Sequence, residues 1–190
     1  MKKTAAFAGL SLLLLAGAAL ATPLLGSAQR FAILAHEAVS NGHAAPNPST
    51  RIYGDLGVSP GTAVSGFYPD GTVTGGSIHP NDSVAIAARA DAQSAYTTLA
   101  GLPADVNLSG HVLGSAGYTL LTPGVYRFDS EAQLNGALLL DFLGDPDARF
   151  VFQIASMFTA ASGASVTALN AGPGSGIFWQ VGSSATLGAD

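Results

Sequence analysis

The chain has 190 residues, of which 10% are charged, 48% are hydrophobic and 24 are glycine, and it contains no cysteine. This composition supports the core of one domain, and its rigidity must come from backbone hydrogen bonds and packing because no disulfide can form. Apart from two lysines near the N-terminus, five arginines face twelve acidic residues. That balance excludes the clustered cations that nucleic acids and anionic membrane surfaces require.

The first segment predicts a secretory signal peptide over residues 1–21. Lys2 and Lys3 form a positive start, the apolar run after them is too short to span a membrane, and the sequence ALA at 19–21 fits a cleavage site. An uncleaved N-terminal anchor is the alternative. Cleavage predicts a secreted protein, extracellular or periplasmic, with one domain over residues 22–190.

Residues 82–100 are predicted to form one long α-helix. Asn81 or Asp82 can accept hydrogen bonds from its first N–H groups, and Gly101 followed by Pro103 can end it. The expected packing face consists of Val84, Ala88, Ala92, Ala95, Tyr96 and Leu99. Because alanines allow close approach, this face is expected to lie against another surface.

Most of the remaining chain predicts short strands separated by Gly, Pro, Asn and Asp, and three segments share one layout. Aligning 150–165 with 178–190 places Phe152 on Trp179, Gln153 on Gln180, Ile154 on Val181 and Thr159 on Thr186. A third segment one period earlier places Tyr126 on Phe152, Phe128 on Ile154 and Gln133 on Thr159. A period of about 25 residues is short for a propeller blade and fits a coil of three strands. We therefore expect a β-solenoid with the helix alongside.

One strand of each coil alternates between inward and outward side chains. The inward residues are expected to be Ala132, Leu134, Phe158, Ala160, Ala185 and Leu187. The outward residues Gln133, Thr159 and Thr186 are expected to form a column on strands about 4.8 Å apart. Small outward neighbours such as Ala161 and Ser184 would keep this surface flat.

The order of these motifs resembles the single-domain ice-binding proteins of cold-adapted microbes. The segments similar to the opening of that family are FAILAHEAVSN at 31–41, YGDLGVSPGTAVSGF at 53–67 and TVTGGSIHPND at 72–82. The segments similar to its later coils are LTPGVYRFDSEAQLNGALLLD at 121–141, GDPDARFVFQIASMFTAASGASV at 144–166 and IFWQVGSSATLG at 177–188. The resemblance implies an all-β domain with one long helix, in which a discontinuous right-handed β-solenoid of triangular cross-section packs beside that helix.

The resemblance also implies a function, in which a flat Ser/Thr/Ala face adsorbs to ice. The residues implied for that face are Ser65, Gln133, Thr159, Ala161, Ser184 and Thr186. The expected protein is a monomer that is not an enzyme, uses no cofactor, and binds an ice crystal, with no nucleic acid or membrane as partner. A secreted adhesin or surface solenoid that binds polysaccharide or protein through the same face is the alternative.

Two departures from the family pattern affect these expectations. Glu131 and Gln133 are large and strongly hydrated, which weakens that part of the plane. The chain ends at Asp190, where the family continues with strands that return beside the first coil, so the C-terminal coils are expected to be missing.

Other chemistry has weaker support in the residues. The histidines His36, His43, His79 and His111 lack the spacing of metal ligands and are expected in loops or on the surface, so no metal site is predicted. Asp141, Asp145 and Asp147 could form a Ca²⁺ cluster, although Asp and Pro in GDPDA favour a turn. The acids lie mostly at predicted corners, unlike the carboxylate pair that glycosidases hold across a groove. Tyr126 and Trp179 are expected in the core or against the helix.

Overall fold

The computed structural model describes residues 24–42, 50–67 and 71–188, so the predicted signal peptide lies outside the described residues. The described chain is a β-solenoid made of two stacks of parallel strands with one long α-helix alongside. Within these ranges no helix combines the length and the hydropathy that a membrane crossing needs.

The N-terminal stack follows a 3-10 helix over Gly26–Arg30. Its strands are β1 (Phe31–Ala35), β2 (Ala38–Ser40), β3 (Thr50–Tyr53), β4 (Asp55–Val58), β5 (Ala63–Ser65), β6 (Gly71–Thr74) and β7 (Ile78–Pro80). They pair in parallel in three sheets, β1-β4-β7, β2-β5 and β3-β6. Strands that are consecutive in the chain lie in different sheets, which is the topology of a solenoid with three strands per coil.

The predicted helix is α1, which spans Ser83–Ala100. Asp82 caps it, because its carboxylate accepts hydrogen bonds of 3.0 Å from the N–H groups of Val84 and Ala85. Like most helices in proteins, α1 depends for its stability on the packing of its apolar face.

The buried face of α1 differs in detail from the predicted one. Its buried side chains are Ala85, Ala88, Ala95 and Leu99. Ala85 is therefore part of the face, whereas Val84 and Ala92 are half-buried and Tyr96 is 39% exposed. The predicted face has the observed direction, and Val84 and Tyr96 lie at the two edges of the apolar stripe, where they are only partly covered.

The second stack follows α1 and contains the repeated segments. Its strands are β8 (Val106–Asn107), β9 (Val112–Leu113), β10 (Leu120–Leu121), β11 (Gly124–Phe128), β12 (Ala132–Leu134), β13 (Ala137–Asp141), β14 (Arg149–Ile154), β15 (Phe158–Ala160), β16 (Ser165–Leu169), β17 (Gly176–Val181) and β18 (Ala185–Leu187). They form the parallel sheets β8-β11-β14-β17, β9-β12-β15-β18 and β10-β13-β16.

The register predicted from the repeat is confirmed. The observed partners include Tyr126 with Phe152, Phe128 with Ile154, Phe152 with Trp179, Gln153 with Gln180, Ile154 with Val181, Gln133 with Thr159 and Thr159 with Thr186. Equal spacing of like residues along the chain thus becomes vertical stacking of like residues in the solenoid.

The core of the second stack is built from stacked aromatic and aliphatic side chains. Its fully buried members include Phe128, Leu138, Leu140, Phe150, Phe152 and Ile154. Tyr126 is 6% exposed and its ring stacks on Phe152 with centroids 5.5 Å apart, while Phe152 stacks on Trp179 at 4.0 Å. Aromatic stacking of this kind adds to the hydrophobic stabilisation of the core.

The helix α1 joins the two stacks. It contacts the 3-10 helix, β1 and β7 of the N-terminal stack and β14 and β17 of the second stack, and no strand pair among the described residues links the stacks. Asp91 accepts hydrogen bonds from the Ser27 amide at 2.7 Å and hydroxyl at 2.6 Å. Tyr96 donates its hydroxyl to the carbonyl of Val181 at 3.3 Å.

Gln153 anchors the C-terminal end of α1 to β14. Its buried Nε2 donates to the carbonyl oxygens of Leu99 at 2.7 Å and Leu102 at 2.8 Å. The last carbonyls of a helix have no partner within the helix. Gln153 donates hydrogen bonds to this end of α1 at a site that is buried from water.

We expect Gln153→Leu to lower the free energy of unfolding by roughly 1–3 kcal/mol, because it keeps the side-chain volume and removes both donors. Urea unfolding followed by circular dichroism measures the change. The exposed helix residue Gln93 offers a matched control, since Gln93→Leu removes no donor to the end of α1. Equal stability of the two variants would contradict the anchoring role.

The N-terminal stack carries a buried polar cluster around His79, which corrects the expectation that all four histidines lie in loops or on the surface. His36 and His111 are exposed and His43 lies outside the described residues, but His79 is 9% exposed. Its Nδ1 lies 2.7 Å from Asp82, and its Nε2 lies 3.7 Å from Asp55 without a hydrogen bond. The histidine is buried because β7 places it between β4 and the start of α1.

Asp55 holds this cluster together. Its carboxylate accepts a 2.9 Å hydrogen bond from the Ser77 amide and forms an ion pair with Arg30. The Ser77 N–H, followed by Arg30, holds the pKa of Asp55 below its usual range.

We expect acid to destabilise the protein through Asp55. Because the folded-state pKa is lowered, the contribution is complete above the unfolded carboxyl pKa of about 3.9 and is lost as the pH falls through the lower folded value. Melting temperatures of the parent and of Asp55→Asn between about pH 7 and pH 2 measure it. The variant should be less stable at neutral pH and lose less on acidification, whereas exposed Glu37→Gln should follow the parent. Parallel curves for Asp55→Asn and the parent would contradict this.

Candidate binding face

The candidate face is the outer surface of the sheet β9-β12-β15-β18. Register places Val112, Gln133, Thr159 and Thr186 in one outward column. Adjacent strands in such a sheet lie about 4.8 Å apart, so the column repeats a side chain at that interval. Three of its four members are β-branched and therefore have restricted χ1 rotation.

Alternation along each strand separates this outward column from the core. Ala132, Leu134 and Phe158 are buried, as predicted. Ala161 lies two residues after Thr159 and is half-buried, and Ser184 lies two residues before Thr186 and is exposed. Both therefore flank the column on its outer side.

The inward residues of β18 line an open end of the second stack. Ala160, Ala185 and Leu187 line a cavity of about 540 Å³ together with Trp179 and Val181. Leu187 is 74% exposed because no described strand stacks on β18. Its direction matches the prediction, and its exposure reflects its position at the end of the stack.

Backbone hydrogen bonds also join the corners that precede the strands of the face in successive coils. The Ser156 amide donates to the Ser130 carbonyl at 3.2 Å, and the Ser183 amide donates to the Ser156 carbonyl at 3.0 Å. Gly182 lies so close to the coil below that an added Cβ would approach the Ala155 carbonyl oxygen within 2.2 Å. The corners therefore fix the strands in register and keep the face rigid.

Ser65 lies apart from this column. It is exposed in β5 and pairs with Ser40 of β2, in a sheet that shares no strand pair with β9-β12-β15-β18 among the described residues. Sequence reasoning missed Ser40, although the triplet Ala-Val-Ser at 38–40 recurs at 63–65 and could have revealed it. Val112, which extends the main column, was missed because its strand has only two residues.

Glu131 is an ionisable residue beside the column. Its Oε1 accepts a long hydrogen bond of 3.4 Å from the Gln133 amide. Elsewhere, Asp141 accepts a hydrogen bond from the Leu143 amide and Asp145 one from the Asp147 amide, both across two residues. These acids form turns, and the described residues contain no group of three His, Asp or Glu side chains placed to hold a metal ion.

The comparison with protein families gives a match over most of the chain. Residues 33–190 match the family described as "Ice-binding-like". An ice-binding protein of Nostoc sp. (strain HG1) is 47% identical over 165 residues, which cover 87% of this chain and 57% of that protein. The chain therefore spans little more than half the length of that relative.

Solved structures give the same result. The crystal structure of an ice-binding protein from an Antarctic biological consortium matches with a TM-score of 0.75 and 40% identity, covering 88% of this chain and 72% of the other. The ice-binding protein of the Antarctic ascomycete Antarctomyces psychrotrophicus matches with a TM-score of 0.75 and 34% identity, covering 86% and 76%.

Proposed function

The chain belongs to the ice-binding-like family, and on that premise we propose that it adsorbs to ice through the face of β9-β12-β15-β18. The observation that carries the proposal is the outward alignment of Thr159 and Thr186 on paired parallel strands, flanked by Ala161 and Ser184. Gln133 and, in the separate N-terminal sheet, Ser65 complete the proposed set of contact residues.

The mechanism is adsorption of a rigid surface. Threonine presents a methyl and a hydroxyl group, and β-branching restricts their positions before binding. The stacked strands and corners fix the spacing between successive threonines, so little conformational entropy is lost when the face meets a crystal. No side chain forms or breaks a bond in this mechanism, and it requires no cofactor.

We propose that the protein is secreted after removal of residues 1–21 and works as a monomer outside the cell. The low content of Lys and Arg, 7 residues in 190, supports the absence of nucleic acid and anionic membranes from its partners.

The proposal is tested by a freezing assay on the purified chain without residues 1–21. We expect the freezing point to lie below the melting point by an amount that grows with protein concentration, and small ice crystals to become faceted. Coincident freezing and melting points with round crystals, at concentrations where circular dichroism shows folded protein, would overturn it.

A further inference from the structure

The outward column contains one residue of a different kind. Val112, Thr159 and Thr186 end at their γ atoms, whereas Gln133 extends further to an amide group and stands between Val112 and Thr159. The column therefore has its longest side chain at β12.

Glu131 adds a second long side chain beside Gln133. It is exposed, and the hydrogen bond from Gln133 Nε2 to Glu131 Oε1 at 3.4 Å places the two long side chains beside each other on the outer surface. A groove of about 160 Å³ lies against them and is lined by Gly110, His111, Val112, Ser130, Glu131 and Gln133. The surface toward β9 is therefore uneven and carries a charge, whereas Met157, the exposed residue at the same position of the next coil, is uncharged.

From this geometry we infer that Glu131 and Gln133 form a polar ridge at β12 that limits how closely the face meets ice and therefore how strongly the chain binds. The inference rests on the proposed function. A rigid face approaches a flat solid only as closely as its tallest side chains allow. Close contact between ice and the ridge would immobilise two flexible side chains and remove water from a carboxylate. Both changes oppose binding.

The test is to lower the ridge. We expect Glu131→Thr, Gln133→Thr and the double variant to show higher thermal hysteresis than the parent at equal molar concentration, with the double variant highest. Threonine suits an exposed strand position, so the melting temperature should stay close to that of the parent. Gln93→Thr on the exposed side of α1 is the matched control and should leave hysteresis unchanged.

The reciprocal change extends the ridge onto the next strand. Thr159→Gln should reduce hysteresis, because it repeats at β15 the side chain that already stands at β12. If the folded single and double threonine variants match the parent or fall below it, the ridge inference is wrong. That outcome, with an active parent, leaves the proposed function intact, whereas an inactive parent overturns the proposed function itself.

Discussion

Replacing Thr159 or Thr186 by tyrosine is expected to remove most of the thermal hysteresis while leaving the fold intact. Both side chains point away from the core on paired strands, so a ring at either position projects from the outer surface and separates the rest of the face from ice. Because adsorption depends on many weak contacts made at once, one projecting side chain affects more than its own area. Freezing-point hysteresis and circular dichroism melting, measured on the same samples, separate activity from stability.

The matched control is Ser94→Tyr, an exposed position on α1. It adds the same ring to an element that is not part of the candidate face and should leave hysteresis near the parental value. Similar losses at Ser94, Thr159 and Thr186 would show that the ring acts nonspecifically and would refute the assignment of the face. Retained activity in both threonine variants would also refute it.

The register of the second stack was predictable because the same residue pattern recurs in successive segments of the sequence. Aromatic residues, glutamines and threonines recur at nearly constant spacing, and in a solenoid constant spacing becomes vertical alignment. Gln133, Thr159 and Thr186 could therefore be placed in one column from residue order alone. The inward direction of Ala132, Leu134 and Phe158 followed from the same alternation, and all three are buried.

The contacts between the helix and the coils were not predictable in the same way. Gln153 was identified only as a repeated residue, yet it holds the end of α1 through hydrogen bonds that join residues 54 and 51 positions apart. His79 was expected at the surface, and its burial depends on how β7 meets β4 and α1. Such contacts are set by the packing of distant segments, which a local pattern does not describe.

The helix itself provides the largest expected effect on stability. Ala88 has no exposed surface and lies in the middle of the buried face of α1, so Ala88→Glu would place a carboxylate where no cation is paired with it. We expect the free energy of unfolding to fall by about 3 kcal/mol or more. For a chain of this length that corresponds to a decrease in melting temperature of roughly 6–12 °C. Differential scanning calorimetry measures it.

Two other alanines of the same helix make the experiment specific. Ala90 is exposed, so Ala90→Glu should change the free energy of unfolding by no more than about 0.5 kcal/mol while altering helix propensity equally. Ala92 belongs to the packing face predicted from the sequence, and because it is half-buried, Ala92→Glu should fall between the two. This order follows the burial of the three positions against the strands that α1 joins. Equal melting temperatures for Ala88→Glu and Ala90→Glu would show that α1 does not hold the two stacks together through this face.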